Sequence, residues 1–341
     1  MQVKGGFSAH AQPMFLSHRH FLKLLDLAPN ELQQLVNSAL TFKELRRCAQ
    51  ERPGLRPKDV ALLFQTSSQN ARWSAGVGLA QVGLRGHFID ADYGGFREGE
   101  SALCTSRRLG RLFEGLVVYG LHQEQVEDVA RVSGVPVCNL GNDQFQPLAV
   151  LADLVTMAEV TSRPFSDISI AYLGDGTSSL ASSFMVGASK LGIDLRFCGP
   201  KDRQPEETLT ETCLALAAET GAQIRLFTEA DQAVKGADFI YSHSWLNEGQ
   251  KLTKKLVKEY LPYRVTGELL TQTGNNRCYL LHQLPFNLTD DSEASRDLAS
   301  KFDLRGLEVS SELTDSPFCL AYDQVENQLH SCKAVLTSLF S

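Results

Sequence analysis

The chain has 341 residues, enough for two domains of ordinary size, each able to bury its own core. Hydrophobic residues make up 43% and charged residues 21%, the balance of a globular protein and not of a disordered one. A formal net charge of -7, with both signs interspersed, argues against nucleic acid or an anionic membrane as partner. No apolar run approaches the roughly 20 residues that span a bilayer. The N-terminal stretch also lacks the uninterrupted apolar segment of a secretory signal. None of the eight cysteines forms a C-x-x-C pair and several sit in apolar segments, so buried reduced thiols in a cytoplasmic setting are expected. The eight histidines are scattered; His18 and His20, the close pair, lack accompanying ligands, and neither metal nor cofactor is expected.

In chain order, Leu32, Leu35, Ala39 and Phe42 recur at helical spacing behind Pro29 and Asn30, which open a helix within 20–47. The run at 60–65 reads as a buried strand, followed by a polar turn and a helix of small and apolar residues. Strands at 87–90, 115–120 and 135–140 alternate with helices over 107–113 and 126–134. A long helix, 145–160, leads to a polar, proline-bearing connection at 161–167, the expected domain boundary. A second series follows: a strand, turn, helix and strand over 168–200, with the segments 222–227, 231–245 and 277–285 continuing the alternation. The alternation predicts an α/β protein of two doubly wound parallel sheets. The last helix carries Val325, Leu329, Cys332 and Leu336 on one stripe and is expected to return to the first domain.

Four places carry candidate chemistry. Ser67, Ser68, Gln69 and Asn70 lie between a strand and a helix that continues through Arg72. They read either as an anion site on free backbone N–H groups or as an ordinary N-cap. Gly174-Asp175-Gly176 lacks the third glycine of a dinucleotide fingerprint, since position 179 is Ser, and reads as a tight turn opening onto a cleft. His282, with Gln283-Leu284-Pro285, ends an apolar strand and reads either as a ligand-facing group or as a loop anchor. Asp323, Glu326, Asn327 and His330 at the head of the last helix read either as functional or as a solvated first turn.

The stretches VEDVARVSGVPVCNLGNDQFQPLAVLADLVTMAE, GDGTSSLASSFMVGASKLGIDLR, ADFIYSHSW, LLHQLP and DQVENQLHSCKAVL occur in an order that resembles the aspartate/ornithine carbamoyltransferase family, most closely its ornithine branch. The resemblance runs from about residue 15 to 338. It implies a first domain over 1–150, completed by the helix at 323–341, and an amino-acid domain over 151–322, with two linking helices. It also implies small-molecule substrates and a homotrimer with sites at subunit boundaries.

Carried over position by position, the family's Ser-Thr-Arg-Thr-Arg phosphate loop is Ser68-Gln69-Asn70-Ala71-Arg72, so Asn70 stands where the first arginine grips phosphate. A second donor-binding arginine falls at Tyr119 or Gly120. His-Pro-x-Gln, which polarises the carbamoyl carbonyl, is Gln146-Pro147-Leu148-Ala149, and the neighbouring subunit's lysine loop is Glu98-Gly99-Glu100-Ser101. In the acceptor half, the paired asparagines are Ser178 and Ser179, and the aspartate that meets the α-amino group is His243. Ser-Met-Gly is Asn247-Glu248-Gly249, His-Cys-Leu-Pro is His282-Gln283-Leu284-Pro285, and the arginine of the last helix is Gln328.

Each lost arginine removes a charge-assisted bond worth about 1.5–3 kcal/mol. The expectation is therefore a transferase of this family, acting on an amino acid or amine with an altered donor or acceptor. The alternatives are a non-catalytic, binding or regulatory homologue, and an intact ornithine enzyme whose lost arginines are supplied from elsewhere, such as Arg72, Arg97 or Arg107.

Overall fold

The structure is a computed structural model that describes residues 20–90, 101–245, 253–286, 296, 300–302 and 304–341. The first half runs α1 (Pro29–Arg47), β1 (Asp59–Phe64), α2 (Gln69–Val82), β2 (Arg85–Asp90), α3 (Ala102–Leu112), β3 (Gly115–Tyr119), α4 (Gln123–Ser133) and β4 (Val137–Gly141). Its four strands form a wholly parallel sheet in the order β2-β1-β3-β4. β1, β3 and β4 are buried along almost their whole length, which is why they read as unbroken apolar runs and not as alternating ones. Two helices start earlier than their apolar spacing alone suggests: α3 at Ala102, and α4 at Gln123, where the Gln125 side chain accepts from the His122 N–H at 3.0 Å.

α5 (Pro147–Thr161) crosses to the second half, with Pro147 supplying the favoured first helical position. Every residue from Pro147 to Met157 is buried, so this helix is enclosed on all sides. The second half runs β5 (Ser169–Leu173), α6 (Ser179–Leu191), β6 (Asp194–Cys198), α7 (Glu207–Thr220), β7 (Gln223–Phe227), α8 (Ala230–Ala233), β8 (Phe239–Ser242), α9 (Lys254–Tyr260), α10 (Gly267–Gln272), β9 (Tyr279–His282), α11 (Ser311–Thr314) and α12 (Ala321–Phe340). Its five parallel strands are ordered β7-β6-β5-β8-β9. Two doubly wound parallel-sheet units therefore follow one another, as the alternation predicts.

One continuous apolar core joins the two sheets. It contains Leu62 and Val117 from the first, Tyr172, Phe197 and Tyr241 from the second, and Leu148, Leu151, Leu154, Phe184, Val335 and Leu336 from the helices between them. α12 packs against α5, α2 and α1. Its buried face differs from the expected stripe: Cys332 and Leu336 are buried, but Val325 and Leu329 are half-buried, while Gln324, Asn327, Gln328 and His330 are enclosed. The reason is that α12 meets polar partners on α1 and α5. Lys43 pairs with Glu159 at 2.7 Å and with Glu326 at 3.0 Å, and Asn327 donates to Thr156 Oγ1 at 2.9 Å.

Both sheets reverse strand order at a switch point, and the register fixes what meets there. Phe64 stands level with Tyr119 across β1 and β3, and Leu173, Ser242 and His282 form a row across β5, β8 and β9. In the first sheet the two switch loops come so close that only glycine fits. Gly120 has φ +78, and a Cβ there would lie 2.3 Å from Thr66 Oγ1. No helix among the described residues is long and apolar enough to cross a membrane.

Candidate functional site

The C-terminal strand ends of the two sheets and the heads of α2, α5, α6 and α12 converge on one interdomain cleft. On the first side, Ser68 caps α2, its Oγ accepting from the Ala71 N–H at 3.4 Å, so the capping reading of this serine holds. Asn70 reaches across the cleft, its Nδ2 donating to the Leu284 carbonyl at 3.3 Å. Ser67 and Gln69 are exposed. Arg72 turns away onto aromatic faces, its guanidinium carbon 4.2 Å from the Phe88 ring centroid and 5.7 Å from that of Phe64. Tyr119 stacks on the same Phe64, with centroids 5.7 Å apart.

Gln146 precedes α5 and ties it to the second domain. Its backbone N–H donates to Ser183 Oγ at 2.7 Å, and its Nε2 donates to Ser179 Oγ at 3.4 Å. Gly141 leaves room for this side chain, since a Cβ there would lie 2.5 Å from Gln146 Oε1. Ser178 caps α6 by accepting from Ala181 N–H at 3.1 Å, and its hydroxyl lies 3.2 Å from that of Tyr172. Gly174, with φ +124, makes the tight turn expected after β5, and Asp175 Oδ1 then accepts from both the Thr177 N–H and hydroxyl.

Two histidines follow the row of strand ends. His243 is half-buried with its Nδ1 shut away and unpartnered. Burial pulls it down to about 4 against the opposing pull of Gln283, Asp175 and the Ser244 backbone. His282 is fully buried and stacks on Phe286 at 4.6 Å, with neither ring nitrogen in hydrogen-bond geometry. Burial, with His243 adding to it, lowers His282 to about 3. Both are neutral imidazoles at pH 7, suited to accept from or donate to a polar substrate and unsuited to pairing with a dianion. Asn247 lies outside the described residues, as do Arg97, Glu98, Gly99 and Glu100.

Sequence reasoning missed the group at the centre of the cleft. A small cavity is lined by Asn70, Ala149, Asp153, Leu284, Gln324 and Gln328, with Ala152, Gln283, Ala321 and Val325 completing its wall. Asp153 is 3% exposed, and burial drives its carboxyl up to about 7 against the pull of Gln324 and Tyr241. Gln324 Nε2 donates to Oδ1 at 2.7 Å and the Tyr241 hydroxyl to Oδ2 at 2.9 Å. The other end of the same amide, Gln324 Oε1, accepts from the His282 N–H at 2.8 Å. Asp153 thus anchors the histidine turn through Gln324. The available signal was a lone carboxylate inside the apolar run 148–155, where an ionisable group is not placed for solvation.

The expected residues fall into three sets. Asn70, Gln283, Leu284 and Gln328 line the cavity. Gln146, Ser178, Ser179, His243 and His282 surround the strand ends, whereas Ser67, Gln69 and Arg72 face outward.

The family's carbamoyl-P binding domain matches residues 19–159, and its Asp/Orn binding domain matches residues 166–339. Among curated proteins, the catabolic ornithine carbamoyltransferase of Haemophilus influenzae is 35% identical over 327 residues, covering 95% of this chain and 98% of that one. Among solved structures, the ornithine carbamoyltransferase from Pyrococcus furiosus superposes with a TM-score of 0.86 at 29% identity, covering 96% of this chain and 98% of that one. That from Gloeobacter violaceus gives 0.79 at 26% identity, covering 96% and 100%. With both domains matched in order along nearly the whole chain, the protein belongs to the aspartate/ornithine carbamoyltransferase family.

Proposed function

We propose that the protein is a transferase of the ornithine carbamoyltransferase type that acts on an amino acid or amine with a donor other than carbamoyl phosphate, an altered acceptor, or both. The observation that carries this is the charge of the cleft: no cationic side chain is among the described residues that line its cavity. Carbamoyl phosphate is close to a dianion, and a dianion in a partly dry cleft without counterions is strongly disfavoured. Where the family places arginine, arginine and histidine, this chain has Asn70, Tyr119 and Gln146, and these bond to Leu284, stack on Phe64 and bond to Ser179. Arg72 is held over Phe88. Removing charge-assisted contacts of about 1.5–3 kcal/mol each weakens the donor by on the order of three decades or more.

The chemistry that remains is catalysis by positioning. The acceptor nitrogen attacks the donor's electrophilic carbon, a nitrogen–carbon bond forms, the bond to the leaving group breaks, and the amine gives up a proton. In this reading His243 and the hydroxyls of Ser178 and Ser179 orient the acceptor, with fully buried His282 behind them. The working assembly in this reading is a homotrimer, supported by an exposed apolar face on α2 and β2 that carries Trp73, Val77 and Phe88. The eight cysteines are all free thiols, which suits a cytoplasmic protein.

The test is calorimetric titration with carbamoyl phosphate and a citrulline assay with ornithine. Binding weaker than millimolar and negligible citrulline are expected. Micromolar binding with turnover of about 1–10³ per second would overturn the reading. A thermal-shift panel of amino acids and amines identifies the ligands that bind, because these raise the melting temperature, and turnover of those ligands separates the catalytic reading from a purely binding homologue.

A further inference from the structure

Two side chains of the first domain reach the second across the cleft. Asn70, in the first turn of α2, donates through Nδ2 to the Leu284 carbonyl at 3.3 Å. Gln146, the residue before α5, donates through Nε2 to Ser179 Oγ at 3.4 Å and through its backbone N–H to Ser183 Oγ at 2.7 Å. Gly141 lets the Gln146 side chain lie where it can do this. A Cβ there would stand 2.5 Å from Gln146 Oε1 and 3.0 Å from its Cδ. A neutral hydrogen bond is weak alone, but bonds that close the same gap multiply in their effect on its opening.

The receiving groups are themselves fixed by bonds that do not cross the cleft. Leu284 lies two residues after His282, whose N–H is held by Gln324 Oε1 at 2.8 Å, and Gln324 is held in turn by Asp153 at 2.7 Å. Ser179 opens α6 directly after its cap, Ser178, which accepts from the Ala181 N–H at 3.1 Å. On the first side, Asn70 belongs to a helix capped by Ser68. Seated on capped helices and a tied strand end, the two crossings constrain the domains and not merely two side chains.

We propose that Asn70 and Gln146 form a latch that ties the two domains across the cleft, and that a ligand enters between the strand ends only by displacing these two amides. The cleft then opens for part of the time, and the apparent affinity of any ligand is lowered by the open fraction. The latch does not depend on which donor or acceptor the protein uses. It stands or falls apart from the functional reading.

Hydroxyl-radical labelling of the full-length protein, read by mass spectrometry with no ligand added, tests the latch. Labelling of a fully buried side chain follows the fraction of time it is uncovered. In Asn70→Ala combined with Gln146→Ala, labelling of fully buried His282 should rise by at least about fivefold, the effect of losing two neutral hydrogen bonds. Leu284 on the same side and Tyr119 on the opposite side should rise with it, while Leu62 and Tyr172 inside the sheets stay protected. Asn70→Ala combined with Ser179→Ala breaks the second crossing from the other domain and should reproduce the pattern. This second pair carries the test if the first does not fold. No rise in either pair, a rise confined to side chains beside each substitution, or one that spreads to Leu62 and Tyr172 in both pairs would overturn the latch.

Discussion

At Asn70 a neutral amide joins the two domains through the Leu284 carbonyl, where an arginine would have bound an anion. Tyr119 and Gln146 are likewise engaged with protein groups, one stacked on Phe64 and the other bonded to Ser179. Restoring Asn70→Arg, Tyr119→Arg and Gln146→His together should therefore improve carbamoyl phosphate binding by more than the sum of the single changes, because the three groups share one ligand. Calorimetry on the three single variants and the triple checks this; additive gains of the singles would show that the groups do not converge. The capped N-terminus of α2 still offers N–H donors to help a restored site. Histidine burial gives a second residue-level expectation. His243, His282 and His330 are lowered to about 4, about 3 and about 3, chiefly by burial, so the unfolded chain binds protons that the folded one refuses. Their contribution to stability is present above about pH 6.5 and is lost as pH falls toward 4 and 3. Asp153, raised to about 7, acts in the opposite sense between about pH 4 and 7, and three histidines outweigh it. The melting temperature should fall on acidification from pH 6.5 to 4. In His330→Leu the stability slope should be shallower by up to about 1.4 kcal/mol per pH unit, as read from urea melts across that range.

At the scale of elements, α12 shows which polar contacts hold the fold and which merely decorate it. Lys43 is 2% exposed on its side chain and relies on Glu159, at 19%, whereas the Arg47 side chain that meets the same Glu159 is 57% exposed. Glu159→Gln leaves a buried ammonium with only the more exposed Glu326 as a charged partner and should cost about 3 kcal/mol or more. Arg47→Ala should cost less than about 1 kcal/mol. Urea denaturation of the two variants distinguishes them; equal losses would mean that the buried pair has no special weight. The same helix marks the limit of what the sequence reveals. Strands such as β1 and β3 are enclosed on both faces, so their apolar runs declare them, and their C-terminal ends pointed to the cleft with Ser68, His243 and His282 already named. The polar half of α12 could not be read so. Gln324 is buried because Asp153, 171 residues away, needs a donor, and Asp153 finds its second donor in Tyr241, 88 residues away. Local spacing carries no record of such partners, and the apolar positions Val325 and Leu329 pointed instead to a face that is only half-covered.

For the whole molecule, the outer face of the first domain holds the remaining expectation. Among the described residues β2 is the edge strand of its sheet, with no strand partner on one side of its backbone, and Phe88 on it is 42% exposed. On the adjoining α2, Trp73 and Val77 are one helical turn apart and 61% and 44% exposed, and Arg72 lies over the Phe88 ring. Large aromatic and branched side chains gathered on one face mark an interaction surface more often than a solvated one. In a ring of identical subunits such a face would be covered by a different patch of the next copy, a heterologous contact that closes at three. Light scattering at micromolar concentration should then give three times the 37.6 kDa chain mass. Trp73→Glu combined with Val77→Glu should shift it to a single chain, because two like charges at the centre of a packed interface would have neither solvent nor a partner. The variant should keep a cooperative melt, since both side chains project from the fold and not into its core. A wild-type mass of 37.6 kDa would remove the trimer from the functional reading. A wild-type trimer that survives the double substitution would instead place the contact on another face of the chain.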